Sequence, residues 1–161
     1  MNWKLLFEKQ VELDAYITNN HDLSGSDLFE KKILALFVEL GELANETRCF
    51  KFWSMKERNS NSVILEEYVD NIHFLLSLGL EKELTFNEIE YEKINVSETT
   101  QFNKIFDFVT LFRKESTKEN YLNLFKSYLQ LADILGFSDE AIMEAYNAKN
   151  EVNFTRQDQG Y

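Results

Sequence analysis

The sequence predicts an all-α fold, on three observations. The 161 residues include no proline and only five glycines, so few positions interrupt a helix and the turn residues of a β-sandwich or barrel are scarce. Hydrophobic residues make up 44% of the chain and aromatic residues 14%, which is enough for one sizeable core. Apolar residues recur at intervals of three and four along most of the chain. We therefore expect a single helical domain over residues 1–161.

The first two helices are predicted over residues 3–17 and 27–47. In the first, apolar residues follow a helical stripe as far as Ile17, and the polar run at 19–21 ends it. In the second, Asp27 supplies an acid at the N-terminus, where the helix dipole favours negative charge. The apolar stripe of the second helix consists of Ile33, Leu36, Phe37, Leu40, Leu43 and Ala44.

The next segment, residues 48–61, has no helical period and is rich in basic and aromatic residues, which indicates a loop. A third helix is predicted from an N-cap at Ser62 to Leu78, with Gly79 in the C′ position. Residues 80–95 are compatible with a short strand or an irregular helix, and we place no motif there.

Three further helices are predicted from residues that can cap an N-terminus. Ser97 starts the fourth helix, and Thr117 starts the fifth, which ends at Gly136. Ser138, followed by two acidic residues, starts the last. No internal repeat or low-complexity linker divides the chain, which favours one compact domain.

Charge and cysteine content restrict the partners and the compartment. The formal net charge of −11 opposes binding to a nucleic acid polymer or an anionic membrane, because both need a basic surface. Cys49 is the only cysteine, so no intrachain disulfide can form and a reducing cytosol is the simplest compartment. The N-terminus lacks the apolar run of a signal peptide, and no segment reaches the length of a membrane span. We expect a cytoplasmic protein.

Two acidic couplets carry most of the functional information: Glu39 with Glu42, and Glu67 with Asp70. In each, the spacing i, i+3 puts both carboxylates on one face of a predicted helix. Glu46 continues the first stripe at i+7 from Glu39. Such couplets are usually a solvated charged face, but these border apolar stripes, and no basic residue occurs between residues 34 and 46. Facing couplets would form an all-oxygen site suited to Mg²⁺.

The remaining residue types limit the chemistry. His21 and His73 are the only histidines, no base is evident beside Cys49, and no glycine-rich phosphate loop occurs. A metal-bound water is therefore the expected nucleophile, with one glutamate as general base and cations facing a phosphate chain.

The acidic couplets, together with residues 44–46, residues 70–74 and the C-terminal run 146–161, closely resemble the dimeric all-α dUTPases of the MazG-like nucleoside triphosphate pyrophosphatase superfamily. The resemblance implies a MazG-like helical bundle with a rigid core and a more mobile helical part. It also implies a homodimer that uses Mg²⁺ to hydrolyse dUTP, and dUDP, to dUMP, with pyrophosphate released from dUTP.

The resemblance also assigns the metal site and the residue that acts on the attacking water. It makes Glu39, Glu42, Glu67 and Asp70 the metal ligands. Glu39 is the first choice for the residue that also polarises the water, and Glu42 is the close competitor.

The deoxyuridine half of the substrate is assigned to four residues. Trp53 matches a tryptophan that lies against the uracil, and His73 and Phe74 match residues at the deoxyribose. Without the resemblance, Trp53 would be read as a core anchor and His73 as a hydrogen-bonded helix histidine. Gln10 is a candidate for one of the amide side chains that read the base edge, but Leu13 and Asp14 stand where an asparagine is expected.

The phosphate chain is assigned to the last helix. Lys149, Asn153 and Arg156 fall at i, i+4 and i+7, so a continued helix would point all three one way, with Asn150 and Gln157 beside them. The alternative is a frayed polar terminus. We expect the tail after Val152 to be mobile in the free protein and to become ordered on nucleotide. Additional phosphate contacts could come from two loop lysines, Lys51 and Lys56.

Two other functions remain open from the sequence. The first is hydrolysis of dCTP, or of a broader set of nucleoside triphosphates, by the same four carboxylates. The second is a non-catalytic helical interaction module with acidic surface stripes, which predicts neither Mg²⁺ dependence nor stabilisation by nucleotide.

Overall fold

In the computed structural model, which describes residues 1–23 and 25–160, the chain forms helices joined by irregular segments, and no strand occurs in these residues. This confirms the predicted all-α class. The helices are α1 (Trp3–Asn20), α2 (Phe29–Thr47), α3 (Asn61–Glu81), α4 (Glu98–Lys114), α5 (Lys118–Leu135) and α6 (Asp139–Asp158). None of them has the length and hydropathy that a membrane span requires.

The predicted caps of the last three helices are confirmed. The hydroxyls of Ser97, Thr117 and Ser138 each accept a hydrogen bond from a backbone N–H in the first turn of the helix that follows. Gly136 ends α5 in the left-handed conformation, with φ of 81°. These four positions act within one turn of chain, which is why the sequence alone identifies them.

The ends of the first two helices differ from the prediction. The first helix continues to Asn20, so the polar residues that suggested its end form its last turn. Helix α2 begins at Phe29, two residues later than predicted, and the Asp27 carboxylate accepts a hydrogen bond from the Phe29 backbone N–H at 3.1 Å.

The predicted ends of the third helix are wrong. Ser60, not Ser62, is the N-cap, and Gly79 lies inside α3 rather than after it. The reason for this glycine is space: a Cβ added to it would lie 2.2 Å from the Tyr121 hydroxyl oxygen and 3.0 Å from the Leu84 carbonyl oxygen. Gly79 therefore permits close packing of α5 and the following segment on α3.

We predict that Gly79→Ala lowers the free energy of unfolding by about 2–3 kcal/mol, because the buried Tyr121 ring cannot move aside without disturbing the core. Gly41→Ala is the matched control, since it is the same change inside a helix where nothing lies within 4 Å. There it should stabilise the protein by about 0.5–1 kcal/mol through helix propensity. Urea unfolding of both variants measures the difference, and equal effects would refute the packing role of Gly79.

Residues 82–97 form neither the short strand nor the irregular helix considered from the sequence. The segment is irregular, and its apolar residues anchor it to the core. The Phe86 ring, for example, lies 5.5 Å from Trp3 and 4.9 Å from Phe125, measured between ring centroids. The anchoring side chains are Leu84, Phe86, Ile89 and Tyr91.

Helix α3 is the central element, because it packs against α1, α2 and α6. A pair of reciprocal hydrogen bonds also joins it to α5. The Tyr128 hydroxyl donates to the Tyr68 carbonyl at 2.7 Å, the Tyr68 hydroxyl donates to the Tyr128 carbonyl at 3.2 Å, and the two rings stack. Both side chains are fully buried. The turn of α3 that carries Glu67 and Asp70 is thus held on its inner side by α5.

The last helix continues to Asp158, as the periodicity of its polar residues required. The tail after Val152 is helical and contacts α1, and its mobility in the free protein stays a prediction. The Phe154 and Tyr16 rings lie 5.1 Å apart, the Tyr16 hydroxyl donates to Asp158, and Gln157 Oε1 lies 2.7 Å from His21 Nε2. Tyr161, the last residue of the C-terminal run, lies outside the described residues.

Candidate active site

A pocket of about 430 Å³ opens between α1, α2, α3 and α6. Each of these helices contributes polar side chains to the lining, so the site depends on the packing of the whole bundle. Predicted site residues in the lining are Gln10 from α1, Glu39 from α2, Asp70, His73 and Phe74 from α3, and Asn153 and Arg156 from α6.

Three of the four predicted metal ligands converge at this pocket. Glu39, Glu67 and Asp70 each offer one carboxylate oxygen, and these oxygens lie within 4.8 Å of one another. All three side chains are half-buried. Glu42 is exposed and outside this group of three, but its charge acts on both Glu39 and Glu67.

The convergence raises the pKa of each of the three carboxyl groups. Burial and the charges of Asp70, Glu42 and Glu67 raise the pKa of Glu39 to about 7. Burial and the neighbouring carboxylates likewise raise the pKa of Glu67. Burial raises the pKa of Asp70 despite the opposing effect of Lys149. A positive charge beside the cluster would therefore favour ionisation of all three groups.

The protein supplies part of that positive charge from α6. Lys149 Nζ lies 2.7 Å from Asp70 Oδ2 and 3.1 Å from Glu66 Oε1, and the residue is only 8% exposed. Burial lowers the pKa of Lys149, but its hydrogen bonds and charge interactions with Asp70 and Glu66 outweigh this and raise it. The sequence alone does not reveal these ion pairs, because Lys149 is distant from Asp70 and Glu66 along the chain.

The carboxylate site suits a hard divalent cation such as Mg²⁺. The atoms available to bind a metal are carboxylate oxygens, which Mg²⁺ prefers as ligands. Mg²⁺ usually completes its coordination with water and substrate phosphates. Burial first, and then the neighbouring carboxylates, raise the pKa of Glu39 despite the opposing charge of Lys149, and a bound cation would oppose both effects. The residues present therefore fit the metal.

A buried polar cluster lies beside the carboxylates, centred on Gln10. Its Oε1 accepts hydrogen bonds from the Tyr146 hydroxyl and from His73 Nδ1, both at 2.9 Å. Burial, with a smaller effect of Lys149, lowers the pKa of His73 to about 3, so the ring is neutral. Because Oε1 can only accept, Nδ1 carries the proton of this neutral ring.

The cluster continues toward the solvent through Asp14. Gln10 Nε2 donates to Asp14 Oδ1 at 2.7 Å, and the Ser77 hydroxyl donates to Asp14 Oδ2 at 2.5 Å. Lys32 lies beyond, 3.8 Å from Asp14 and 2.6 Å from Glu81. Asp14, Lys32 and Ser77 all line the pocket.

The other predicted binding residues lie outside the pocket lining. Trp53 is 65% exposed and packs against Phe52 in the loop after α2. Lys51 donates to Asn45 at the end of α2, and Lys56 is exposed on the same loop. A further two, Lys149 and Asn150, are buried.

Sequence reasoning missed five residues of the site. Of these, Tyr146 had the clearest signal, because it lies one helical turn before Lys149. The others are polar residues whose hydrogen-bond partners are far away in the chain. The five are Asp14, Lys32, Glu66, Ser77 and Tyr146.

Comparison with known proteins identifies the family. None of the curated proteins compared with the chain matches it. A family model described as dUTPase matches residues 2–161, which is almost the whole chain. The all-helical fold, with a cluster of carboxylates at the pocket between α1, α2, α3 and α6, is consistent with that match. The chain therefore belongs to the dUTPase family and is an enzyme that hydrolyses dUTP.

Proposed function

We propose that the enzyme converts dUTP, and also dUDP, to dUMP at the pocket between α1, α2, α3 and α6, with Mg²⁺ held by Glu39, Glu67 and Asp70. The proposal rests on one observation above all: three carboxylates from two helices meet beside a nucleotide-sized pocket. Glu42, exposed next to the three, completes the proposed four-carboxylate site.

Bound Mg²⁺ would neutralise charge on the phosphate oxygens and favour ionisation of water. The protein's part in the chemistry is to place a base beside the attacking water. Glu39 is the proposed base, because it lines the pocket beside Asp70 and an ionised carboxylate can accept a proton from water. The water oxygen forms a bond to phosphorus, Glu39 takes the proton, and pyrophosphate leaves from dUTP or phosphate from dUDP.

The last helix supplies the groups for the phosphate chain. Asn153 and Arg156 line the pocket one and two turns beyond Lys149. Arginine suits this role, because its planar group can bind two phosphate oxygens at once. Lys149 bonds to Asp70 in the free protein, and it would be able to donate to a phosphate oxygen once Asp70 binds a metal. Asn150, the residue after Lys149, is assigned to the same phosphate chain, and its side chain is buried in this structure.

The deoxyribose lies against His73 and Phe74 in this proposal. Both residues line the pocket one turn after Asp70 on α3. An apolar wall at the 2′ carbon would leave the extra hydroxyl of a ribose without a partner. The cost of that unpaired hydroxyl favours deoxyribonucleotides over ribonucleotides.

The resemblance assigns the uracil contact to Trp53, which stands on the loop after α2. Trp53 and its neighbours Phe52 and Met55 are unusually exposed for such large apolar side chains, and a nucleotide base is a suitable cover for one of them. Lys51 and Lys56, on the same loop, would then approach the phosphates.

We predict that Trp53→Ala raises KM for dUTP about 10–100-fold, because stacking of a base on an aromatic ring contributes roughly 1–3 kcal/mol. Tryptophan fluorescence gives an independent measurement. Trp53 and the buried Trp3 are the two tryptophans, so Trp53→Phe leaves only a core reporter. A non-hydrolysable dUTP analogue should change the wild-type emission and not that of Trp53→Phe. An equal response in both proteins would place the base elsewhere.

A homodimer in the cytoplasm is the proposed native form. The resemblance implies the dimer, and exposed apolar residues such as Leu34 and Val38 on α2 give it a surface to bury. The single cysteine fits a reducing compartment. Sedimentation velocity would test the dimer, and a monomer at micromolar concentration would refute it.

The experiment that tests the function is a steady-state comparison of dUTP, dCTP, dTTP and UTP, each with Mg²⁺ and with EDTA. We expect Mg²⁺-dependent turnover with a clear preference for dUTP and release of pyrophosphate. Equal turnover of dCTP would favour the broader pyrophosphatase instead. Undiminished turnover in EDTA would refute the metal site.

A further inference from the structure

We propose that Arg48 is a positioning residue, whose guanidinium group holds the loop between α2 and α3 in the shape that presents Trp53 to the substrate. The loop consists of residues 48–60. This inference rests on the proposed function, which puts Trp53 against the base. It adds a residue without an assigned role so far, since the sequence indicated only a loop rich in basic and aromatic residues here.

The apolar side chains in the middle of this loop are not held by the core. The exposed fraction is 93% for Phe52, 65% for Trp53 and 99% for Met55. The Trp53 ring lies 5.0 Å from the Phe52 ring and 6.0 Å from the Phe50 ring, measured between centroids, but both belong to the same loop. Burial of apolar surface therefore does little to fix Trp53, and the shape of the loop depends on its hydrogen bonds.

Arg48 makes hydrogen bonds across the loop. Its Nε donates to the Lys56 carbonyl oxygen at 3.0 Å, and its Nη2 donates to the Ser54 hydroxyl at 2.5 Å. The Arg48 carbonyl oxygen accepts from the Lys51 backbone N–H at 3.0 Å. Arg48 is thus bonded to the chain both before and after Trp53.

The two side-chain bonds suit an arginine in particular. The guanidinium group is planar and keeps its donors at fixed positions, so one group can donate to two acceptors at once. The Ser54 hydroxyl also accepts from the Lys56 backbone N–H at 3.3 Å, which joins the two acceptors in one turn of the chain. A lysine, with a single nitrogen on a flexible stem, would not set the distance between them.

The alternative is that Arg48 only ends α2. Its backbone is in the left-handed conformation, with φ of 58°, and its N–H donates to the Ala44 carbonyl oxygen at 3.0 Å. Glycine can do this with less strain, as Gly136 does at the end of α5 with φ of 81°. The bonds of the guanidinium group explain why a long side chain occupies a position that favours glycine.

The first test follows Trp53 by time-resolved fluorescence anisotropy of the protein without nucleotide. We expect Arg48→Gln to increase the amplitude of the fast decay at least about twofold, because the ring then moves with a looser loop on the nanosecond timescale. Trp3 is buried in the core and contributes mainly to the slow decay. Arg58→Gln is the control, since it removes a charge from the same loop, but Arg58 bonds to Glu98 at 2.7 Å. An unchanged decay in Arg48→Gln would overturn the inference.

The second test is steady-state hydrolysis of dUTP with Mg²⁺. Arg48→Gln should raise KM about 3–10-fold and change kcat less than about twofold, because it disturbs binding and leaves the carboxylates in place. Arg58→Gln should change neither. When Arg48→Gln is combined with Trp53→Ala, KM should equal that of Trp53→Ala alone, because no ring is left to position. Independent effects that multiply in the double variant would overturn the inference.

Arg48→Gly separates the positioning role from the end of the helix. Glycine adopts the left-handed conformation without strain, so the melting temperature should not fall, whereas KM should rise as in Arg48→Gln. A wild-type KM in Arg48→Gly would show that only the backbone of Arg48 matters and would overturn the inference. A wild-type KM in Trp53→Ala, with faster anisotropy decay in Arg48→Gln, would instead overturn the proposed contact of Trp53 with uracil and leave Arg48 as the residue that holds the loop.

Discussion

Glu39→Gln should lower kcat for dUTP hydrolysis by at least about 1000-fold while raising the melting temperature of the metal-free protein. Activity falls because the variant lacks both a proposed metal ligand and the proton acceptor. Stability rises because the mutation removes one of several carboxylates that repel one another at a half-buried site. The gain should be about 1–2 kcal/mol near pH 8, after allowance for solvent screening.

The raised pKa of Glu39 also predicts how the stability of the metal-free protein changes with pH. The pKa of Glu39 in the folded, metal-free protein is about 7, above its ordinary value of 4.5, so between these values the folded state binds more protons than the unfolded state. The contribution of Glu39 to stability therefore falls as the pH rises from about 4.5 to 7. Thermal unfolding of Glu39→Gln should show a weaker decline over this range.

The control for Glu39→Gln is Glu8→Gln, on the exposed face of α1, where the nearest cation is an exposed lysine 3.9 Å away. It should change neither activity nor the pH profile. Near wild-type turnover of Glu39→Gln at saturating Mg²⁺ would refute the assigned role of Glu39.

Lys149→Met should destabilise the metal-free protein and make its stability strongly dependent on Mg²⁺. The substitution keeps most of the aliphatic length but leaves Asp70 without its 2.7 Å partner. Breaking a partly buried ion pair in this way should cost about 2–3 kcal/mol. Because Mg²⁺ would replace the missing positive charge, the increase in melting temperature on adding Mg²⁺ should be larger than in the wild type.

Lys93→Met is the matched control for this effect. Lys93 also forms an ion pair at 2.7 Å, with Asp133, but its side chain is 81% exposed. Its loss should leave both the stability and the response to Mg²⁺ nearly unchanged, because a solvent-exposed ion pair contributes little. A Mg²⁺ response in Lys149→Met no larger than in the wild type would show that the lysine and the metal do not share a site.

The fold could be predicted where it depends on local chemistry. The caps at Ser97, Thr117 and Ser138 act within a turn, and the apolar periods that locate the helices are equally local. Gly79 was misread because its role depends on Tyr121, a residue of another helix. The irregular segment 82–97 was ambiguous for the same reason, since its apolar residues are anchored by distant helices rather than by a period of their own.

The site, like the fold, could be predicted only where it depends on residues that are close in the sequence. The spacing of the acidic couplets within each helix could be read directly, and it located a carboxylate cluster. The positive charge beside this cluster could not be predicted, because Lys149 reaches Asp70 only when α6 packs on α3. Gln10 was expected to be one of the amide side chains that read the base edge. In the structure its carbonyl is already bonded on both sides, and this becomes evident only once Tyr146 and His73 are in place.

The most direct test of the central claim is the Mg²⁺ dependence of pyrophosphate release from dUTP, measured for the wild type and for Glu67→Gln and Asp70→Asn. Glu67 and Asp70 come from the same turn of α3 and are proposed to hold the metal without taking the proton of water. We predict no turnover of the wild type in EDTA. Each variant should need at least about tenfold more Mg²⁺ for half-maximal activity. Turnover in EDTA, or an unchanged Mg²⁺ requirement in both variants, would contradict the account.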